Sequence, residues 1–198
     1  MRRIPPSLGS DHDGRRRLFF GLKPPVDDAS SWLRCARLAL GEPAWLRWQT
    51  PADVHLTIHF LGMVEAAAQA RLIGAVGAII TRQRAFAVHA ERGMWFPDAP
   101  RPVVLAMSVT RDAPLAHLAA QVAGAVQDAG LSADPRPFQP HITLARLRRR
   151  HPTLPAAPQL SPERFPVSEL ILFESAGAGG PVRYHPCHVF RFPGSVSA

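Results

Sequence analysis

Lysine occurs once in the 198 residues, at Lys23, although 23 positions are basic. That lysine stands beside Pro24 and Pro25, so the chain has no nucleotidyl-transfer lysine motif, which argues against ligation driven by ATP. Cysteine is nearly absent as well. Cys35 and Cys187 lie far apart and neither belongs to a CxxC pair, so neither a disulfide framework nor a structural zinc is indicated. No apolar run is long enough to span a bilayer. Met1-Arg2-Arg3-Ile4-Pro5-Pro6 lacks the apolar centre of a signal peptide, and a cytoplasmic protein with no membrane partner is the expectation. The glycine-rich Ala176-Gly177-Ala178-Gly179-Gly180-Pro181 opens no helix and carries no Lys-Ser/Thr end, which excludes a phosphate loop.

What is present is an apolar fraction of 46% and a net charge of +8. The first is enough for a real core in one domain. The second points towards polyanions, because a positive surface speeds encounter with phosphates and holds them by counterion release. The near-complete use of arginine looks like a compositional bias, so Arg15-Arg16-Arg17 and Arg148-Arg149-Arg150 also read as solvated clusters.

Two stretches echo one another: His55-Leu56-Thr57-Ile58-His59-Phe60-Leu61-Gly62 and, far downstream, Pro140-His141-Ile142-Thr143-Leu144-Ala145-Arg146-Leu147. Each reads His-apolar-Thr-apolar, the alternation of a strand with one buried and one open face. His55 and Thr57 therefore share a face, as do His141 and Thr143, while Leu56, Ile58 and Phe60, or Ile142 and Leu144, point inward. Two imidazoles and two hydroxyls converge on one substrate if the strands lie side by side.

The rest of the chain supplies a frame for them. Residues 1 to 17 show no periodicity and are expected to be a mobile tail, and 193 to 198 a C-terminal tail, leaving 18 to 192 as one domain. Leu18 to Leu22 reads as a buried strand. Asp27 and Asp28 are placed to cap a helix that Gly41 ends. Trp45 and Trp48 read as core closers or base platforms. Gly62 closes the first motif strand, and a helix follows from Ala66 to Ile80. Strands are expected at Ala85 to Ala90 and Val103 to Val109, with a Pro-rich loop over 92 to 102 between them. A third helix, capped by Asp112, stops at Gly130. Residues 148 to 166 read as loop, then Val167 to Glu174 and Arg183 to Phe192 as strands. The repeated order of helix and motif strand predicts an α+β fold with two pseudo-symmetric lobes, each a mainly antiparallel sheet backed by helices, across a central cleft.

The motif pair resembles the two signatures of the 2H phosphoesterases, most closely the bacterial RNA 2′,3′-cyclic phosphodiesterases once labelled 2′-5′ RNA ligases. The likeness runs from Arg17-Leu18-Phe19-Phe20 through Pro100-Arg101-Pro102 and Phe138-Gln139-Pro140-His141 to Tyr184. It implies hydrolysis of RNA 2′,3′-cyclic phosphate ends to 2′-phosphomonoesters by a monomer that needs neither cofactor nor metal. The resemblance makes His55 the general acid and His141 the general base, roles that suit a group with a pKa of about 6.5. Thr57 and Thr143 can donate hydrogen bonds to the phosphoryl oxygens. Arg146 matches a phosphate-contacting position, although strict alternation sends it away from His141 unless a bulge intervenes; the other reading is an exposed arginine. Phe60 matches a position that stacks a base, yet alternation sends it into the core.

His59 departs from the motif. A zinc ion on His55, His59 and His141 is one competing reading, weakened by the lack of any carboxylate in either motif and by the threonines it leaves unexplained. Two structural histidines are another. At the level of function, an RNA-end binding module and ATP-independent 2′-5′ end joining remain alternatives.

Overall fold

The computed structural model describes residues 14–98, 101–132, 136–148, 153–176 and 183–193. Along the chain run β1 (Arg16–Leu22), α1 (Val26–Leu40), β2 (Leu46–Trp48), a 3₁₀ turn (Pro51–Asp53), β3 (Leu56–Val64), α2 (Ala66–Ile80), β4 (Phe86–Phe96), β5 (Val104–Val109), α3 (Ala113–Asp128), β6 (His141–Leu147), β7 (Glu163–Val167), β8 (Glu169–Ala176) and β9 (Arg183–Arg191). The result is the expected α+β architecture with antiparallel strands. All pairings are antiparallel, in the order β7-β4-β5-β6-β3-β1-β8-β9, with β2 also on β6.

The two halves, β7-β4-β5-β6 and β3-β1-β8-β9, are joined edge to edge. Between β3 and β6 there is one register pair, Leu56 with Ile142, after which the strands diverge and β2 takes over the free edge of β6. One apolar core covers the helix side of both halves, taking Leu18, Phe20, Leu56, Ile58, Ile142, Leu144 and Leu172 from the strands with Trp32, Leu72, Val76, Leu118 and Val122 from the helices. Each fully buried leucine contributes about 2 kcal/mol by leaving water, so the helix-facing set of β3 and β6 is fixed firmly. The α1 side chain Trp32 packs on Phe165 of β7, while α2 meets β9 and α3 meets β3. Thus each half carries helix cover on one face and leaves the other to the cleft.

Several expected boundaries shift for identifiable reasons. The helix α1 starts at Val26 after Pro25, so Asp27 and Asp28 sit inside its first turn, where they favour the helix dipole instead of capping. Gly41, at φ 70°, ends it as expected. Asp112 caps α3 by accepting a bond from the Leu115 N–H at 3.1 Å. Gly62 does not end β3; its φ of 68° carries a bulge and the strand goes on to Val64. The expected loop from residue 92 is strand as far as Phe96, because Gly93 through Phe96 pair with Met107 through Val104. Gly93 is needed there, since a Cβ would collide with the carbonyl oxygen of Pro158 crossing above it. Strand β7 occupies the end of the expected 148–166 loop; its Pro166 hides the strand signal and is tolerated at the sheet edge.

Both tryptophans near the first motif serve the core, Trp45 against Trp95 and Trp48 beneath Arg37. Of the expected N-terminal tail, residues 1–13 lie outside the described residues, and β1 already takes up Arg16 and Arg17. Residues 194–198, Arg149-Arg150, Pro100 and most of the glycine-rich turn also lie outside them. Among the described residues no helix is long and apolar enough to cross a membrane.

Candidate active site

The joining pair determines where the motif side chains meet. With Leu56 opposite Ile142 in an antiparallel register, His55 falls opposite Thr143 and Thr57 opposite His141. Opposed residues on one face bring their Cβ atoms to about 4.5–5.5 Å. Two histidines and two threonines therefore make a square on the cleft face, each histidine facing the threonine of the other half.

A single-residue bulge follows in each strand at the same place. On β3, Phe20 pairs with His59 and Gly21 with Thr57, so Ile58 is the extra residue. On β6, Leu105 pairs with Ala145 and Ala106 with Thr143, so Leu144 is extra. Each bulge inverts the alternation beyond it. His59 then shares the core-facing side with Phe20 and is buried at 9% exposure, although part of it borders the cleft. Phe60, expected inward, turns to the cleft side with Phe19 and is 42% exposed. Arg146 returns to the side of His141, which is the bulge its expected role required.

Both histidines are held by the same local device. The Nδ1 of His55 lies 2.6 Å from the carbonyl oxygen of Asp53, and that of His141 lies 2.8 Å from the carbonyl oxygen of Gln139, in each case two residues upstream. Donating Nδ1–H to a carbonyl leaves Nε2 as the reactive nitrogen of the neutral ring. Asp53 is itself tied down: its carboxylate accepts from the Thr50 hydroxyl at 2.6 Å and from the Tyr184 N–H at 3.4 Å, and Arg183 lies 3.8 Å away.

The surroundings of the two rings differ. His55 is only 5% exposed, boxed by Phe19 at 4.8 Å, the edge of Tyr184 at 4.7 Å and Phe173 at 5.9 Å. Burial lowers its pKa to about 4, with the Arg146 charge adding to the effect and the Asp53 carbonyl opposing it. His141 is half-buried and stacks on Phe96, centroids 3.8 Å apart. Its pKa is also lowered, first by burial and then by Arg146. A cleft of about 440 Å³ opens over this group, lined by Thr57, Phe60, Phe96, His141, Thr143 and Arg146 among others. His55 is not among its lining residues; that ring sits in the box of Phe19, Phe173 and Tyr184.

This pairing of two His-x-Thr strands across a cleft agrees with a match to the sequence model of the 2′-5′ RNA ligase superfamily over residues 25–179. The chain belongs to that family, the 2H phosphoesterases. It is 32% identical over 174 residues to the RNA 2′,3′-cyclic phosphodiesterase of Escherichia coli (strain K12), covering 86% of this chain and 93% of that protein. It is 29% identical over 136 residues to the protein of the same name from Bacillus subtilis (strain 168), covering 68% and 73%. The crystal structure of E. coli LigT complexed with 3′-AMP is similar at a TM-score of 0.74 and 28% identity, over 90% of this chain and 98% of that one.

For this 2H phosphoesterase, the geometry brings Thr57, Phe60, His141, Thr143 and Arg146 to one cleft with His55 adjoining. It does not assemble the zinc site weighed above: His59 projects with the core, and no group of three or more His, Cys, Asp or Glu able to hold a metal occurs among the described residues. Sequence reasoning missed Phe96, the aromatic box of Phe19, Phe173 and Tyr184, and the anchoring carbonyls of Asp53 and Gln139. Phe19 and Tyr184 had a signal, since both lie in stretches shared with the family. Phe96 had none, because its place above His141 depends on the long-range β5 pairing. Tyr184 also accepts a bond from Arg146 at 3.4 Å, linking the guanidinium of one half to the aromatic box of the other.

Proposed function

We propose that this protein hydrolyses RNA 2′,3′-cyclic phosphate ends to 2′-phosphomonoesters without a metal, acting as a cytoplasmic monomer. The observation that carries the reading is the pair of Nδ1-anchored imidazoles, one from each half, presented with two threonines across a single register pair. The names of the E. coli and B. subtilis relatives supply the substrate class.

In this reaction water attacks phosphorus as the bond from phosphorus to the 3′ oxygen breaks. The Nε2 of His141 takes the water proton, and the Nε2–H of His55 protonates the departing 3′ oxygen, which stays on the ribose. The assignment follows the family resemblance, and exposure agrees with it. His141 borders the open cleft, where water has access, whereas His55 is walled off by aromatic rings. An imidazole of lowered pKa is a strong acid once protonated, and a bound phosphate raises its pKa by placing negative charge beside it. Thr57 and Thr143 donate to the non-bridging oxygens, Arg146 neutralises the phosphate with paired donors, and Phe60 stacks the terminal base.

The test is incubation with RNA bearing a 2′,3′-cyclic phosphate end in the presence of EDTA, with the product identified by phosphorus NMR. Conversion to a 2′-phosphate is expected. Binding without turnover would reduce the protein to an RNA-end module, turnover lost to EDTA would restore a metal, and a 3′-phosphate would reverse the roles of the histidines. Joining of ends through a 2′-5′ linkage is the same ring opening with the 5′ hydroxyl of a second RNA in place of water: its oxygen bonds to phosphorus, His141 takes its proton and the 3′ oxygen leaves.

A further inference from the structure

Arg47 and Arg146 stand directly opposite each other on β2 and β6. Opposed residues of an antiparallel pair leave the sheet on the same face, and like charges placed so destabilise the pair. The neighbouring positions take the other face, since Leu46 is buried in the main core and Trp48 packs against it. Arg47 therefore emerges on the cleft side, next to an arginine that lines the cleft. Neither is ion-paired with a carboxylate among the described residues, and Arg146 donates to the neutral Tyr184 hydroxyl. An anion between two such guanidiniums would remove the repulsion.

The two side chains do not occupy the same point: Arg146 lines the cleft with the motif threonines, whereas Arg47, on the neighbouring strand, is not among the lining residues and so stands at the outer side of Arg146. Arg148, exposed and bonded through its N–H to the Trp45 carbonyl, stands just past the end of β6. Arg146 and Arg148 are two residues apart, about 7 Å on an extended chain, and with Arg47 they put three basic residues at this end of β6. That suits a nucleotide strand better than a lone phosphate.

We propose that Arg47 forms a second phosphate subsite, which takes the phosphodiester joining the terminal nucleotide to the one before it. The substrate class is then an oligonucleotide end and not a cyclic mononucleotide. This rests on the cyclic-phosphate reading of the histidine pair. The guanidinium fork matches two phosphoryl oxygens, and one such contact is worth about tenfold or more in affinity.

The experiment compares uridine 2′,3′-cyclic phosphate with UpU ending in a 2′,3′-cyclic phosphate, for the wild type and Arg47→Gln. The wild type should favour the dinucleotide in kcat/KM, and Arg47→Gln should cut that ratio about tenfold, mostly through KM. The slope of log kcat/KM against log salt for the dinucleotide should also shallow by about 0.7. Equal losses on both substrates would place Arg47 at the scissile phosphate and overturn the proposal, as would an unchanged ratio. Should the wild type turn over neither substrate, the reaction itself is wrong and the subsite is decided by binding. In that case titrations with 3′-UMP and UpU 3′-phosphate must show the variant losing the advantage of the longer ligand, and an advantage that survives sinks the subsite.

Discussion

Phe60 and Arg146 occupy the same place in the two halves, each five residues after a motif histidine and each turned to the cleft by a bulge at the third residue. The two strands are alike up to that point and differ there. One half offers an apolar ring and the other a guanidinium, so a nearly symmetric square of histidines and threonines acquires a direction. Under the proposed function a base settles against Phe60 and a charged oxygen against Arg146, which gives the ligand one preferred way round. Tyr184 ties the two together, accepting from Arg146 while its ring edge meets His55.

Replacing His55 or His141 by Ala should lower turnover by about 10²- to 10⁴-fold each, with the double variant little worse than the singles, because acid and base serve one step. Thr57→Val and Thr143→Val should cost less: about 2 to 4 kcal/mol of transition-state stabilisation where the site is dry, and less at Thr57, which water reaches more easily than the 7%-exposed Thr143. Single-turnover rates on a cyclic-phosphate dinucleotide measure both sets. Wild-type rates in either histidine variant would remove that residue from the reaction.

Legibility in the sequence followed the range of the interaction. His55, Thr57, His141 and Thr143 could be placed on one face because alternation is a local property, and the need for a bulge before Arg146 followed from the same arithmetic. The fate of Phe60 and His59 did not, since nothing in the composition around Ile58 marks an extra residue; the bulge arises from the register with β1. The same limit hid β4 beyond Ala90 and β7, whose partners are supplied from distant parts of the chain. Helices α2 and α3 were readable in full because their apolar spacing is local.

The buried, neutral state of His55 should appear in the stability curve. Its folded pKa of about 4 lies below the unfolded value of about 6.5, so the unfolded chain binds the extra proton between them. Stability is therefore full above pH 6.5 and falls as pH drops towards 4, by an amount on the order of 3 kcal/mol for this group. Unfolding free energies from urea titrations at pH 7.5 and pH 4 should differ by that much more in the wild type than in His55→Gln. An equal pH dependence in the two proteins would mean that His55 is not held neutral by burial.

Phe96→Leu addresses the ring over His141. Burial is the largest cause of the lowered His141 pKa, and a leucine covers less of the imidazole than a stacked phenyl. The His141 resonance should titrate closer to 6.5 in the variant, as followed by NMR of the imidazole protons, while His55 in its separate box does not move. A His141 titration identical to wild type would make Phe96 a packing residue only.

The pH profile of kcat/KM joins these observations, because it reports the ionisations of the free enzyme. Productive protein carries one imidazole protonated and the other neutral, and both pKa values are lowered, so the bell should peak on the acid side of the ordinary imidazole value of about 6.5. The two limbs belong to the pair, and their positions alone do not say which histidine is which. Arg146 bears on both rings, so Arg146→Gln should move both limbs towards higher pH while lowering the rate at every pH through the lost phosphate contact. In kcat the maximum should already lie higher for the wild type, since the bound phosphate offsets the Arg146 charge. If Arg146→Gln lowers the rate but leaves both limbs in place, the guanidinium binds substrate without setting the ionisation of the histidines.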